Sequence, residues 1–309
     1  MDIHIHPVNL DGSVLISLFA SNESTKPIFT FLIDPWLTET LTDPHPLILT
    51  QSHGPETPPP ISSLASLPHP PDAVILTQSN SDHVTFPTLS TLASTTAIFA
   101  IPAAATIVKS WNHFDASAIH TITTQTQART TIVLPENAGV IELVHLPALR
   151  FWEQPALYSF TSIRILPASL PPFHIVYTAH GAPNSAITAL LASLPDPTVN
   201  VLFHPLVKYV IPYIPGGKVV PGAEGAEALL KEVKADYFIG VHDEKKLYGG
   251  FIGKVIQAFD AGEEEIGGIE VWRFREGGWK FGFEDRGWRG GVSEEWDCCK
   301  PKDEGVSGV

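Results

Sequence analysis

The sequence predicts an α/β protein. The preferred architecture is a four-layer αββα sandwich of two mixed β-sheets with helices on the outer faces, and an ordinary mixed α/β domain remains open on pattern alone. Two observations lead there. Short β-branched and aromatic runs fall into two clusters, each followed by segments of helical composition. A chain of 309 residues that is 44% hydrophobic and 17% charged also has enough apolar material for one large core.

Taken in order, GSVLISLFA (12–20) and PIFTFLIDPWL (27–37) read as the strands of a hairpin separated by polar SNESTK. Residues 43–72 are rich in proline and read as a long surface loop of the kind that lines sites. DAVILT (72–77) is a buried strand, HVTFPTLSTLAS opens a helix, TAIFAIP (96–102) is a strand and AAATIVKSW a helix. NAGVIELVHL, ALYSFTSIRIL and FHIVYTA are successive strands, and NSAITALLASL (184–194) has apolar residues at helical spacing. VNVLFH (199–204), a helix at 223–234, DYFIGVH (236–242) and a helix at 245–260 follow. GIEVWRF and GWKFGF close the fold. The expected organisation is one domain over 1–285 and a polar, loosely ordered tail over 286–309.

Charge and composition exclude several functions. With 33 acidic and 19 basic residues the formal net charge is -14, a field that repels phosphate backbones and anionic headgroups. No run approaches the roughly 18 apolar residues of a membrane span, and MDIHIHPVNLDGS lacks a secretory signal pattern. The expectation is a soluble, cytoplasmic protein with a small-molecule substrate or ligand and no nucleic-acid or membrane partner. The two cysteines, Cys298 and Cys299, are adjacent in the tail, so they read as ordinary tail residues and any metal must be held by His and carboxylate.

Five segments carry a family resemblance: FLIDPWL (31–37), PDAVILTQSNSDH (71–83), ILPASL (165–170), VYTAHG (176–181) and FIGVHDE (238–244). In that order they resemble the metallo-β-lactamase fold superfamily, in particular its lactonase-like branch, the ascorbate-phosphate lactonase-like hydrolases and their phosphodiesterase-like relatives. The resemblance spans about residues 10–260. In that family the second segment normally ends Thr-His-x-His-x-Asp-His, the third supplies Pro-Ala-x-His, the fourth a metal-bridging Asp and the fifth a terminal His.

Carried over residue by residue, the resemblance implies that the first metal site is dismantled. Its positions hold Gln78, Asn80 and Leu170, and neither an amide nor an alkyl group replaces an imidazole. The second site survives as Asp82, His83 and His242, with His180 at the bridging position. Two readings stand side by side. One is a mononuclear Asp82/His83/His180/His242 centre holding one zinc, iron or manganese ion, with Asp82 and His180 also catalytic; His180 is either the fourth ligand or, off the metal, a general base. The other is a metal-free hydrogen-bonded polar cluster. Asp34 corresponds to a carboxylate that orients a ligand imidazole, although as a residue it also suits an Asp-Pro turn.

Gln78, Asn80, His204 and Trp36 are candidate substrate contacts, the last two also readable as a capped strand end and plain core. Phe86, Trp152 and Tyr209 are further aromatics that read first as core. His145 reads as a satisfied strand histidine, and His4, His6, His45, His53 and His69 share no ligand spacing. GGKVVPGAEG (216–225) lacks phosphate-loop spacing. The implied function is a hydrolase-like protein acting on a small ester, lactone or amide with at most one metal ion, and with little activity on β-lactams or simple phosphodiesters. The alternative is a metal-free pseudoenzyme, or an isomerase or cyclase, that uses the emptied pocket.

Overall fold

The computed structural model describes residues 1–37, 39–55, 59, 61–67, 69–148, 157–212, 217–260, 262, 265–273, 278–284 and 287–293. Trp152, Cys298 and Cys299 lie outside the described residues, as does the tail beyond 293.

Two eight-stranded mixed sheets dominate. The first runs, in spatial order, Gly287–Ser293, Gly278–Glu284, Asp2–Pro7, Val14–Phe19, Phe29–Ile33, Ala73–Leu76, Ala97–Ala100 and Ile119–Thr121. Its last four strands are parallel and the others antiparallel. The second sheet mirrors this plan. Phe173–Tyr177, Val199–His204, Ala235–Gly240 and Ile269–Arg273 are parallel, with antiparallel strands Ser159–Pro167, Gly139–Pro147 and Thr130–Val133 on one side and Glu265–Ile266 on the other.

The period-2 alternation of side chains builds the layers. Val14, Ile16, Phe31, Ile33 and Ile75 from the first sheet meet Ile163, Ile165, Ile175, Val201 and Ile239 from the second in one core. The intervening residues face outward. Leu15, Leu32, Val74 and Leu76 pack beneath the helix Pro102–Ser110, while Val176, Leu202 and Phe238 pack beneath Asn184–Ala192 and Ala223–Leu230. The architecture is therefore the αββα sandwich.

Four segments differ from the sequence expectation. DIHIHP forms a strand, Asp2–Pro7, because its Ile3 and Ile5 alternate into the core while His4 and His6 take the other face. The helix expected from His83 to Ser94 reduces to one turn, Phe86–Leu89. The helix expected over 245–260 breaks into a strand, Leu247–Gly249, a single turn, Gly250–Gly253, and a strand, Gln257–Phe259. Gly250 takes a left-handed φ of 74°, which ends the first strand, and Leu247–Gly249 pairs instead with Thr50–Ser52. Residues 287–293 belong to the first sheet and not to a loose tail. The proline-rich segment is likewise tied down: Thr50–Ser52 also pairs with Leu41–Thr42, and Ile61, Leu64 and Leu67 are buried against the first sheet's outer layer.

Candidate metal centre

The parallel strands of both sheets end at the same edge of the sandwich, where open α/β sheets place their ligands. Asp34 follows Phe29–Ile33, the loop 77–83 follows Ala73–Leu76, His180 lies beyond Phe173–Tyr177 and His242 beyond Ala235–Gly240. The turn between the first two strands adds Asp11 from the same edge.

Asp82, His83, His180 and His242 converge there, each offering one donor atom, and these donors all lie within 4.8 Å of one another. All four residues are buried. Asp82 Oδ1 is 3.7 Å from His83 Nε2, and Asp82 Oδ2 is 3.6 Å from His242 Nε2. Each loop has a local reason for its shape. A helical turn at 80–84, closed by His83 N–H and Val84 N–H donating to the Asn80 carbonyl, presents Asp82 and His83. His242 adopts a left-handed φ of 59°, and its N–H donates to the Asp11 carbonyl.

A second ring of polar groups orients the first. Asp34 Oδ2 lies 2.9 Å from His83 Nδ1, and Thr77 N–H donates to Asp34 Oδ1 at 2.7 Å. Asp34 also makes the turn that its sequence suggested, with φ 43° and its carbonyl accepting from Ser13 Oγ. Asp11 Oδ2 lies 2.9 Å from His242 Nδ1. Asn9 Oδ1 accepts the N–H groups of Asp11, Gly12 and Ser13 at 2.8–3.0 Å, which fixes the turn that carries Asp11. Tyr177 O–H ties the second sheet to this turn by donating to the Gly12 carbonyl at 2.7 Å.

Lys246 completes the cluster. Its buried ammonium is 2.9 Å from Asp11 Oδ2, 3.3 Å from Asp82 Oδ2 and 3.4 Å from His242 Nε2, and it lies 5.1 Å from the centroid of the Trp36 ring. The His53 ring stacks on Trp36 at 3.9 Å, and His53 Nδ1 sits 2.6 Å from Glu244 Oε2.

The protonation pattern follows from these contacts. Burial pushes the Asp82 carboxyl up, but the charges of His83, Lys246 and His242 outweigh it and hold Asp82 well below the carboxylate range. Asp11 is likewise lowered, burial being outweighed by His242 and Lys246. Burial disfavours a charged His83, yet Asp82 and Asp34 raise it to about 9. His180 goes the opposite way: burial and the charges of His242 and His83 keep its imidazole neutral. Lys246 is raised, because Asp11 and Asp82 overcome its burial.

The remaining candidates are placed differently. Gln78 is buried, and its amide donates to Ser159 Oγ at 2.7 Å and to the Leu157 carbonyl, so it fastens the loop to the second sheet. Asn80 is half-buried on the loop. Leu170 packs against the core between the sheets. His204 turns its Nδ1 to the Pro205 carbonyl at 2.8 Å, outside the four-residue cluster. Trp36 is fully buried, so the substrate contact expected of it gives way to a packing role beneath Lys246. Phe86 is 44% exposed, and Tyr209 is buried with its hydroxyl donating to the Glu244 carbonyl. His145 pairs with Thr161 Oγ1 at 3.0 Å. Asp11, Lys246 and His53 have no place in the quoted motifs, and Glu244 closes the fifth of them without a role assigned to it there. The only sequence signal for Lys246 was its nearness to His242.

A β-lactamase superfamily domain model matches residues 30–169, which hold the Asp34 turn and the Asp82–His83 loop. The fold is that of the metallo-β-lactamase superfamily. Among solved structures, isothiocyanate hydrolase from Delia radicum gut bacteria is similar at 15% identity and a TM-score of 0.52, over 79% of this chain and 85% of that one. A possible metal-dependent hydrolase from Veillonella parvula DSM 2008 is similar at 15% identity and 0.53, over 78% and 84%. CmlA, a diiron β-hydroxylase from Streptomyces venezuelae, is similar at 14% and 0.50, over 78% of this chain and 44% of that one. At these identities the likeness is one of fold. Among curated proteins no sequence match is significant. Among the described residues no helix is long and apolar enough to cross a membrane.

The donor set of this metallo-β-lactamase-fold chain fits a divalent ion. One carboxylate and three imidazoles are the ligand types that zinc, iron and manganese accept. Three buried imidazole nitrogens in the cluster, His83 Nε2, His180 Nδ1 and His242 Nδ1, have no hydrogen-bond partner, the last facing the Asp11 carboxylate at 2.9 Å.

Proposed function

We propose that the chain is a hydrolase-like protein that holds one zinc, iron or manganese ion through Asp82, His83, His242 and His180, and acts on a small ester, lactone or amide. The observation that carries this reading is the convergence of four buried donors within 4.8 Å, with three imidazole nitrogens of the cluster making no hydrogen bond. The lactonase-like assignment within the superfamily rests on the five motif segments.

The chain's own groups have definite tasks in this reading. Asp34 accepts the His83 Nδ1 proton and leaves Nε2 to face the centre. Asp11 faces the other histidine, its carboxylate 2.9 Å from His242 Nδ1. His180 is already neutral and needs to lose no proton to become a donor. Asn80, half-buried on the same loop as Asp82 and His83, is the candidate substrate contact in this reading. A divalent ion there supplies Lewis acidity, polarising an acyl oxygen and lowering the pKa of water. Gln78, Asn80 and Leu170 offer a second ion no imidazole, so the two-ion chemistry of β-lactam and phosphodiester hydrolysis is not expected.

One observation favours a second reading, a metal-free ligand-binding protein: Lys246 already contacts Asp82 Oδ2 and His242 Nε2. In that case the four residues form a polar cluster in which burial and the charges of His242 and His83 hold His180 neutral. Purified protein, stripped with chelator and reloaded with zinc, iron(II) or manganese(II), should be assayed on a panel of aryl esters, lactones and small amides. Turnover lost on stripping and restored by one equivalent of metal supports the hydrolase reading. Ligand binding without metal-dependent turnover supports the second.

A further inference from the structure

The charges of the centre balance when one divalent ion is bound. Three buried carboxylates, Asp11, Asp34 and Asp82, surround it, and one buried ammonium, Lys246, stands among them. With the imidazoles neutral, as ligands must be, the protein's share of the charge is two negative units, which one divalent ion cancels. The ammonium is held at four points: two carboxylates, the Nε2 edge of His242 and the face of Trp36. It therefore sits beside the donors of Asp82 and His242, in a site whose other metal position carries no imidazole.

We propose that Lys246 is a built-in second cation of this centre, which shares the charge of the carboxylates with a single divalent ion and repels that ion. This rests on the metal-binding reading above and specifies the cofactor as one divalent ion held against an internal positive charge. A bound metal would feel two effects of Lys246, direct repulsion and loss of Asp11 and Asp82 negative charge to the ion pair. Removing the ammonium while keeping its methylene stem should therefore tighten metal binding. A salt bridge that merely braced the ligands would do the reverse, since its loss would loosen Asp82 and His242.

The test uses the full-length protein and zinc, with Kd measured by competition against a chromogenic chelator. Lys246→Met should lower Kd by about tenfold or more, and Lys246→Arg, which keeps the charge, should stay near wild type. Asp11→Asn should raise Kd, and adding Lys246→Met to it should bring Kd back down. That double variant restores the balance of buried charge, so the comparison survives if Lys246→Met alone does not fold. A Kd unchanged or raised by removing the ammonium in either background overturns the proposal. A wild-type chain that takes up no zinc overturns the metal reading itself, a separate result from a metal-binding wild type whose Lys246→Met variants bind no tighter.

Discussion

Asp34→Asn isolates the contribution of one carboxylate without disturbing its turn. Asn tolerates the left-handed backbone that Asp34 adopts at φ 43°, so the Asp-Pro corner should survive. What changes is charge and hydrogen-bond polarity. The carboxylate accepts from His83 Nδ1 at 2.9 Å and from Thr77 N–H at 2.7 Å. An amide oxygen can keep the Thr77 N–H bond, but the NH2 group then faces His83 and cannot accept its Nδ1 proton. The imidazole is driven to carry its proton on Nε2, the atom that a metal needs. Loss of such an orienting partner costs about 10–100-fold in metal affinity, or about 1.4–2.8 kcal/mol. The metal-free protein should also lose about 1.5–3 kcal/mol, the usual contribution of a hydrogen bond to a charged group. Chelator competition gives the first quantity and denaturant unfolding of stripped protein the second. Unchanged metal affinity in a folded Asp34→Asn variant would refute the orienting role.

Three further outcomes follow from the same contacts. Burial lowers His145 and His174 to about 4; both are neutral when folded and titrate at 6.5 when unfolded, so the stability they protect is complete above pH 6.5. It is lost as pH falls toward 4, by up to about 3 kcal/mol each; urea midpoints across that window should show the slope, which His174→Gln should flatten, and a stability independent of pH there would contradict it. Asn9→Ala removes the acceptor for three buried N–H groups and should cost about 2–3 kcal/mol in unfolding free energy, whereas a wild-type melting curve would mean that the turn holds itself. His53→Ala removes the ring stacked on Trp36 and the contact with Glu244; limited proteolysis should then cut faster within 43–54, and an unchanged cleavage rate would show that strand pairing alone holds that segment.

The convergence of the cluster was legible because its residues follow strands. Asp82–His83, His180 and His242 each come just after an apolar run that could be read from composition, and parallel strands deliver their ends to one edge. Asp34 could not be assigned from DPWL alone, where a turn residue and an orienting carboxylate look alike; in the structure it makes the turn and its carboxylate lies 2.9 Å from His83 Nδ1. Lys246 and Asp11 were not legible. Their meaning lies in contacts between segments far apart in the chain, such as Lys246 with Asp82, and no local spacing encodes them. Lys246 was also hidden inside KKLYGGFIGKVIQAFD, whose apolar spacing suits a helix. Its glycines and the pairing of Leu247–Gly249 with Thr50–Ser52 override that local preference. DIHIHP does not read as a strand from its sequence because histidines interrupt its apolar pattern, although they only occupy the face turned from the core.

The central claim is a centre built for one divalent ion, and metal content tests it most directly. Protein purified without chelator should be measured by elemental analysis beside its His242→Ala variant. Near one equivalent of zinc, iron or manganese in the wild type, lost in the variant, is the expected result. Near two equivalents would contradict the dismantled first site at Gln78, Asn80 and Leu170, and none, with stability unmoved by added metal, would contradict the metal centre.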